Sequence, residues 1–166
     1  MPKHPHADFP RAGFLRRLGA FIYDALLVAA IYMVAGAVAM LFTVILEKLG
    51  LISLEGYQDM AEYLGVQPWF SFYLAVCICS FFCWFWVRSG QTLGMRAWRL
   101  KVQNEDGTPI TFTQALIRLF TAAMGLGNLL VIFDRRQKRA FQDYMADCVV
   151  VVLSKEANQL KNWQGV

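Results

Sequence analysis

Histidine is almost missing from this chain. Of 166 residues only His4 and His6 are histidines, and both lie in a proline-bearing polar tail. Such a pair has the spacing to capture a metal ion, but flexible tails often carry one. No histidine is left deeper in the chain for a nucleophile–histidine–carboxylate arrangement. Charge is scarce too, at 17% of residues against about 25% in ordinary soluble domains. The chain contains no HExxH and no paired CxxC. Gly90-Gln-Thr-Leu-Gly94 has two glycines but lacks the Lys-Ser/Thr that completes a phosphate loop. No enzyme, no cofactor and no metal centre is expected. Basic residues are nearly lacking from one stretch, 47–67, where Glu47, Glu55, Asp59 and Glu62 face Lys48 alone.

The four cysteines do not form a framework. Cys77, Cys79 and Cys83 share one apolar run and read as small residues that pack between helices. Cys148 stands alone beside a run of valines and is expected to be buried.

What the chain has in excess is apolar surface. The hydrophobic share is 57%, above the roughly 45–50% of soluble domains, which points to a small integral membrane protein. A helix of about 20 residues crosses the bilayer core, and Arg16–Leu46 is longer than that. Its start resembles a signal peptide, with the small triplet Ala35-Gly36-Ala37 in the place of a cleavage site. A signal's apolar region is only about 7–15 residues, whereas this run continues to Leu46, so an uncleaved first span is expected. Ala29, Ala30, Ala35, Gly36, Ala37 and Ala39 supply small positions for close helix packing.

The rest follows in order. Residues 47–67 form a connector in which Leu54–Leu64 has the pattern of a short surface helix. Trp69–Val87 is a second span, with Trp69 and Phe70 at one end and Trp84, Phe85 and Trp86 at the other, as in an interfacial aromatic belt. Gly90–Gly94 predicts a tight loop into a short helix. Leu100 and Val102 alternate with polar neighbours as in a strand, and Val149–Leu153 reads as another. Thr111 or Thr113 can cap the next helix. The third apolar segment, Phe112–Phe133, carries Arg118 near its start and is interrupted at Gly125-Leu-Gly127-Asn128.

Lysine and arginine concentrate on the cytoplasmic side of spans. Lys3, Arg11, Arg16 and Arg17 in the tail, and Arg88, Arg96, Arg99 and Lys101 after the second span, place the N-terminus inside and the connector outside. A full third crossing would put Arg135, Arg136, Lys138 and Arg139 outside. A re-entrant segment keeps 15 of the 16 basic residues inside and is preferred. The expected fold is an all-α membrane protein with two transmembrane helices, a third broken or re-entrant apolar segment and a small cytoplasmic β-strand element. Its parts are a cytoplasmic tail (1–15), a membrane domain (16–153) and a polar C-terminal tail (154–166).

Asp24 is the one carboxylate inside the first span. An aspartate at a helix centre costs about 2.5–3.5 kcal/mol on insertion scales, so it needs a partner. Arg17 lies on the same helix face but about 10.5 Å away along the axis, too far for an ion pair.

Three pieces in order resemble the RDD family of small membrane proteins, named for an arginine and two aspartates. They are Arg17-Leu-Gly-Ala-Phe-Ile-Tyr-Asp24, then Gly90-Gln-Thr-Leu-Gly94 with Arg99-Leu-Lys-Val102, then Arg135-Arg-Gln-Lys-Arg-Ala-Phe-Gln-Asp143 before the valine strand. The resemblance runs from about residue 11 to 153. It places the family arginine on Arg17, with Arg16 as the alternative, and the aspartates on Asp24 and Asp143. Gln142 stands where the family often has a histidine, so a histidine-assisted proton relay is not expected. The resemblance implies a multi-pass protein of the bacterial cytoplasmic membrane, with transport as the usual proposal.

Two readings of Arg17, Asp24, Asp143 and Arg118 result. In one they serve transport of a cation or small solute, with Asp24 exchanging a proton for the ion; so small a transporter implies a homo-oligomer. In the other they form a structural polar network within an assembly or regulatory module. The basic segments Arg96–Lys101 and Arg135–Arg139 would then bind anionic lipid at the cytoplasmic face or a partner. No nucleic-acid partner is expected, because topology explains the net charge of +4.

Overall fold

A computed structural model describes residues 8–134 and 136–159. The chain divides into two compact units, one made of Met1–Leu26 with Phe81–Val166 and the other of Leu27–Ser80. Helices α1 (Phe14–Lys48) and α3 (Pro68–Ser89) run from one unit into the other. Both are long and apolar enough to cross a membrane, and both extend a residue or two beyond the expected spans. Between them α2 occupies only Met60–Gly65. Asp59 starts it by accepting the Glu62 N–H at 2.8 Å, so the expected surface helix shortens to its second half.

Along α1 one narrow stripe is buried. In the first unit it consists of Arg17, Ala20 and Asp24; in the second, of Ala35, Ala39 and Thr43. These positions recur at three- and four-residue steps, which is one face of a helix. The other faces expose large apolar side chains such as Leu26, Met33, Leu41 and Phe42, as lipid contact requires.

After α3 the first unit is built from short pieces: α4 (Leu93–Ala97), β1 (Leu100–Gln103), α5 (Phe112–Thr121), a 3-10 helix (Ala123–Leu129), α6 (Leu130–Phe133), α7 (Phe141–Met145) and β2 (Val149–Val152). The two strands pair antiparallel with Leu100 opposite Val152 and Gln103 opposite Val149. The tail before α1 joins them: the Val152 N–H donates to Pro10 O at 2.8 Å and the Ala12 N–H to Val150 O at 2.9 Å. The core under this sheet contains Ala20, Cys83, Trp86, Met95, Leu100, Val102, Ala115 and Cys148.

Thr111 caps α5. Its hydroxyl accepts the Gln114 N–H at 3.3 Å, and the Gln114 side chain takes the Thr111 N–H at 2.9 Å, a capping box. The third apolar segment is broken as the glycines imply: α5 and the following helical stretch Gly125–Phe133 meet at 88°. Gly125 supplies the corner at φ 92°, with the Phe21 ring packed where a Cβ would sit.

Candidate functional site

The four residues singled out by sequence fall into two separate polar clusters. Arg17, Arg118 and Asp143 meet in one. Asp24 is in the other.

Asp143 owes its position to α7. It is the third residue of that helix, and its Oδ2 accepts the Ala140 N–H at 2.9 Å, closing the first turn. Arg17 Nη2 lies 2.6 Å from the same oxygen. Arg118 Nη1, from the inward face of α5, pairs with Oδ1. Asp143 is 0% exposed and both arginines are buried. Backbone acceptors fix Arg17 further, since its Nη2 donates to Lys138 O at 3.0 Å and its Nε to Ala12 O at 3.2 Å. Arg118 Nη1 also donates to Cys148 Sγ at 3.2 Å, and its guanidinium lies 5.2 Å from the Trp86 ring centroid. One carboxylate thus ties together the start of α1, α5 and α7.

Burial by itself would raise the Asp143 carboxyl, but Arg118 and then Arg17 hold it below the usual carboxylate range. Burial pushes the Cys148 thiol up, so it stays protonated beside the clasp and is not a reactive thiolate.

Asp24 instead meets the Gly90–Gly94 loop. Thr92 Oγ1 donates to Asp24 Oδ2 at 2.5 Å and the Gly94 N–H donates to Oδ1 at 2.9 Å. The same hydroxyl accepts the Met95 N–H at 3.1 Å and so caps α4. Gly94 has to be glycine here. A Cβ on it would stand 2.5 Å from Ala20 O and 2.6 Å from Asp24 Oδ1. Gln91 anchors the loop from behind, donating to Leu100 O at 2.7 Å. Thr92→Val should therefore remove a cap and a donor together, lowering stability by about 1–2 kcal/mol. Thr92→Ser should restore it, as thermal unfolding in detergent will read.

Thr92 and Gly94 are the partners that the sequence reading missed, having taken Gly90–Gly94 only for a tight loop into a short helix. The available signal was Thr92 itself, a capping residue just before Leu93. The basic segments need a correction as well. Lys101 and Arg139 are buried and not displayed: Lys101 lies in a strand whose residues are all buried, and Arg139 is paired with the exposed Glu105 at 2.7 Å. Arg136 and Lys138 remain exposed. His4, His6 and Arg135 lie outside the described residues. Cys77, Cys79, Cys83 and Cys148 are all free thiols. Among the described residues no group of three His, Cys, Asp or Glu side chains is placed to hold a metal ion.

A family model described as RDD family matches residues 11–147. The chain belongs to the RDD family. It is thus a small membrane protein, and its two long apolar helices agree with that. No curated protein and no solved structure matches the chain closely enough to add a relative. Arg17 and Asp143, on which the resemblance places the family arginine and second aspartate, form one ion pair. Asp24, on which it places the first aspartate, sits about two helical turns further along α1, on neutral donors.

Proposed function

We propose that this RDD protein moves a cation or small solute across the membrane, with Asp24 as the proton-exchanging group and Arg17–Asp143–Arg118 as a fixed frame. The observation that carries this is the character of the Asp24 partners. Both are neutral, and among the described residues no lysine or arginine pairs with it. An ionised carboxylate offers about four lone-pair sites, so two donors leave room for a cation or a proton. Asp143, by contrast, has two guanidinium partners and no exposure.

Charge distribution supports the topology of the proposal. The N-terminus and the 88–101 segment are basic and the connector is acidic, which favours a cytoplasmic N-terminus in a bacterial inner membrane. The 88° break supports a re-entrant α5–α6 segment over a straight third crossing. Two spans enclose little pathway, so the working form is a homo-oligomer. Ala35 and Ala39 are buried within the chain, whereas Ala29, Ala30 and Ala37 stay exposed on α1 for such contacts.

Proteoliposomes loaded with Na⁺, K⁺ or H⁺ gradients test the reading. Wild type should carry flux, and Asp24→Asn should abolish it while leaving the protein folded. Flux absent from both, or unaltered in the variant, ends the proposal; so does a strict monomer in nanodiscs. A second reading, a non-transporting assembly or regulatory module, is favoured by the saturation of Asp143. It requires Asp24→Asn to change stability alone.

A further inference from the structure

The helices that bury the first unit's ion cluster carry apolar side chains on their outward faces. On α5 the buried positions are Ala115 and Arg118, and Gln114 reaches inward to Ala146 O at 3.0 Å. Phe112, Ile117 and Phe120 point out, Phe120 being 75% exposed. α7 repeats the pattern: Gln142 and Asp143 are buried, while Phe141, Tyr144 and Met145 are exposed. α6 ends on Ile132 and on Phe133, which is 81% exposed. A water-facing amphipathic helix does the opposite, turning its apolar stripe to the core and its charge to solvent. Helices that bury arginine and aspartate and display phenylalanine are built for an apolar surrounding.

Charge identifies which surrounding. Arg136 and Lys138 are exposed directly after Phe133. Tyr144 belongs to the same margin, its ring half-exposed and its hydroxyl donating to Asp134 at 2.8 Å, as an aromatic at a membrane–water boundary is used. The acidic groups Glu105 and Asp147 are exposed, and both lie within reach of Arg139.

We propose that the outward faces of α5, α6 and α7 rest among the acyl chains of one leaflet, and that Arg136 and Lys138 bind the phosphates of anionic lipids there. α7, which the sequence places in a cytoplasmic segment, is then part of the lipid-facing surface. The Arg17–Asp143–Arg118 clasp lies on the buried side of α5 and α7, opposite Phe120 and Phe141. This holds whether or not the protein transports.

The full-length protein in nanodiscs of phosphatidylcholine and phosphatidylglycerol, doped with an acyl-chain diazirine lipid, provides the test. Photo-adducts should map to Phe120, Phe133 and Phe141 as well as to Leu26 and Phe42 on α1, which serve as the internal control. Adducts on α1 without any between 112 and 145 overturn the proposal, as do crosslinks between two copies when a photoreactive phenylalanine analogue replaces Phe120 or Phe133. Arg136→Gln with Lys138→Gln should reduce the preference for phosphatidylglycerol about five-fold per charge removed, equivalent to about 1 kcal/mol each. Only the backbone carbonyl of Lys138 joins the clasp, so this variant keeps the fold. An unaltered lipid preference refutes the headgroup assignment.

Discussion

Asp143→Ala is expected to cost about 3–5 kcal/mol of stability, the range for removing one partner from a buried ion cluster. The reason is what remains. Arg17 and Arg118 would both stay buried, side by side, with the charge between them gone. The Ala140 N–H would lose its acceptor as well, and the first turn of α7 with it. Arg118→Met should cost less, because Asp143 keeps Arg17 and Arg118 leaves no charge behind. Making both changes should cost less than the sum, since Asp143→Ala no longer strands Arg118. Thermal unfolding in detergent across this double-mutant cycle reads the coupling. A cost under about 1 kcal/mol for Asp143→Ala would match an exposed ion pair and contradict the burial. The pH dependence has a fixed sign. The folded carboxyl is held below its unfolded value of about 3.9, so its contribution is complete above that pH. It is lost as pH falls through the lower folded value. The unfolding midpoint should therefore be insensitive to Asp143 between neutrality and about pH 5 and fall only below about pH 4.

The parts of this molecule set by local pattern were legible in the sequence, and the parts set by long-range pairing were not. Spans α1 and α3, the two strand segments though not their pairing, the Thr111 cap and the break near Gly125 each have a signature within a few residues. The third apolar segment was also placed correctly as interrupted, because glycines at 125 and 127 cannot sustain a helix cheaply. Asp143 pairs with both Arg17 and Arg118, since one carboxylate has two oxygens and α1 and α5 present an arginine to each. The partners of Asp24 were harder to find, since they lie 68 and 70 residues away: Thr92 announced itself only as a helix cap, and the other is a backbone N–H, which every residue but proline possesses. The basic runs misled for a related reason. Sequence counts charges, but Lys101 and Arg139 are buried once the strand and the ion pair with Glu105 are in place.

Gly94→Ala separates the two clusters most cleanly and should cost about 3 kcal/mol, at the upper end for overpacking a well-filled site. The case rests on what the added methyl meets, not only on how close it comes. At Gly19 a Cβ would stand 2.2 Å from the Trp98 indole, nearer than anything at Gly94. That ring is partly exposed and can swing away, and alanine inside α1 gains about 0.5–1 kcal/mol over glycine in helix preference. Gly19→Ala should accordingly be mild. At Gly94 the first atom met is Ala20 O at 2.5 Å, backbone in the second turn of α1, which moves only if α1 moves. The second is the Asp24 carboxylate at 2.6 Å. The loop must then lift from α1, and Asp24 loses both donors in one step. If Asp24 exchanges protons, Gly94→Ala should abolish flux as Asp24→Asn does, while the clasp and its acid sensitivity stay intact. If the two costs rank the other way, with Gly19→Ala the larger, then Trp98 and not the Gly90–Gly94 loop fixes the approach to α1.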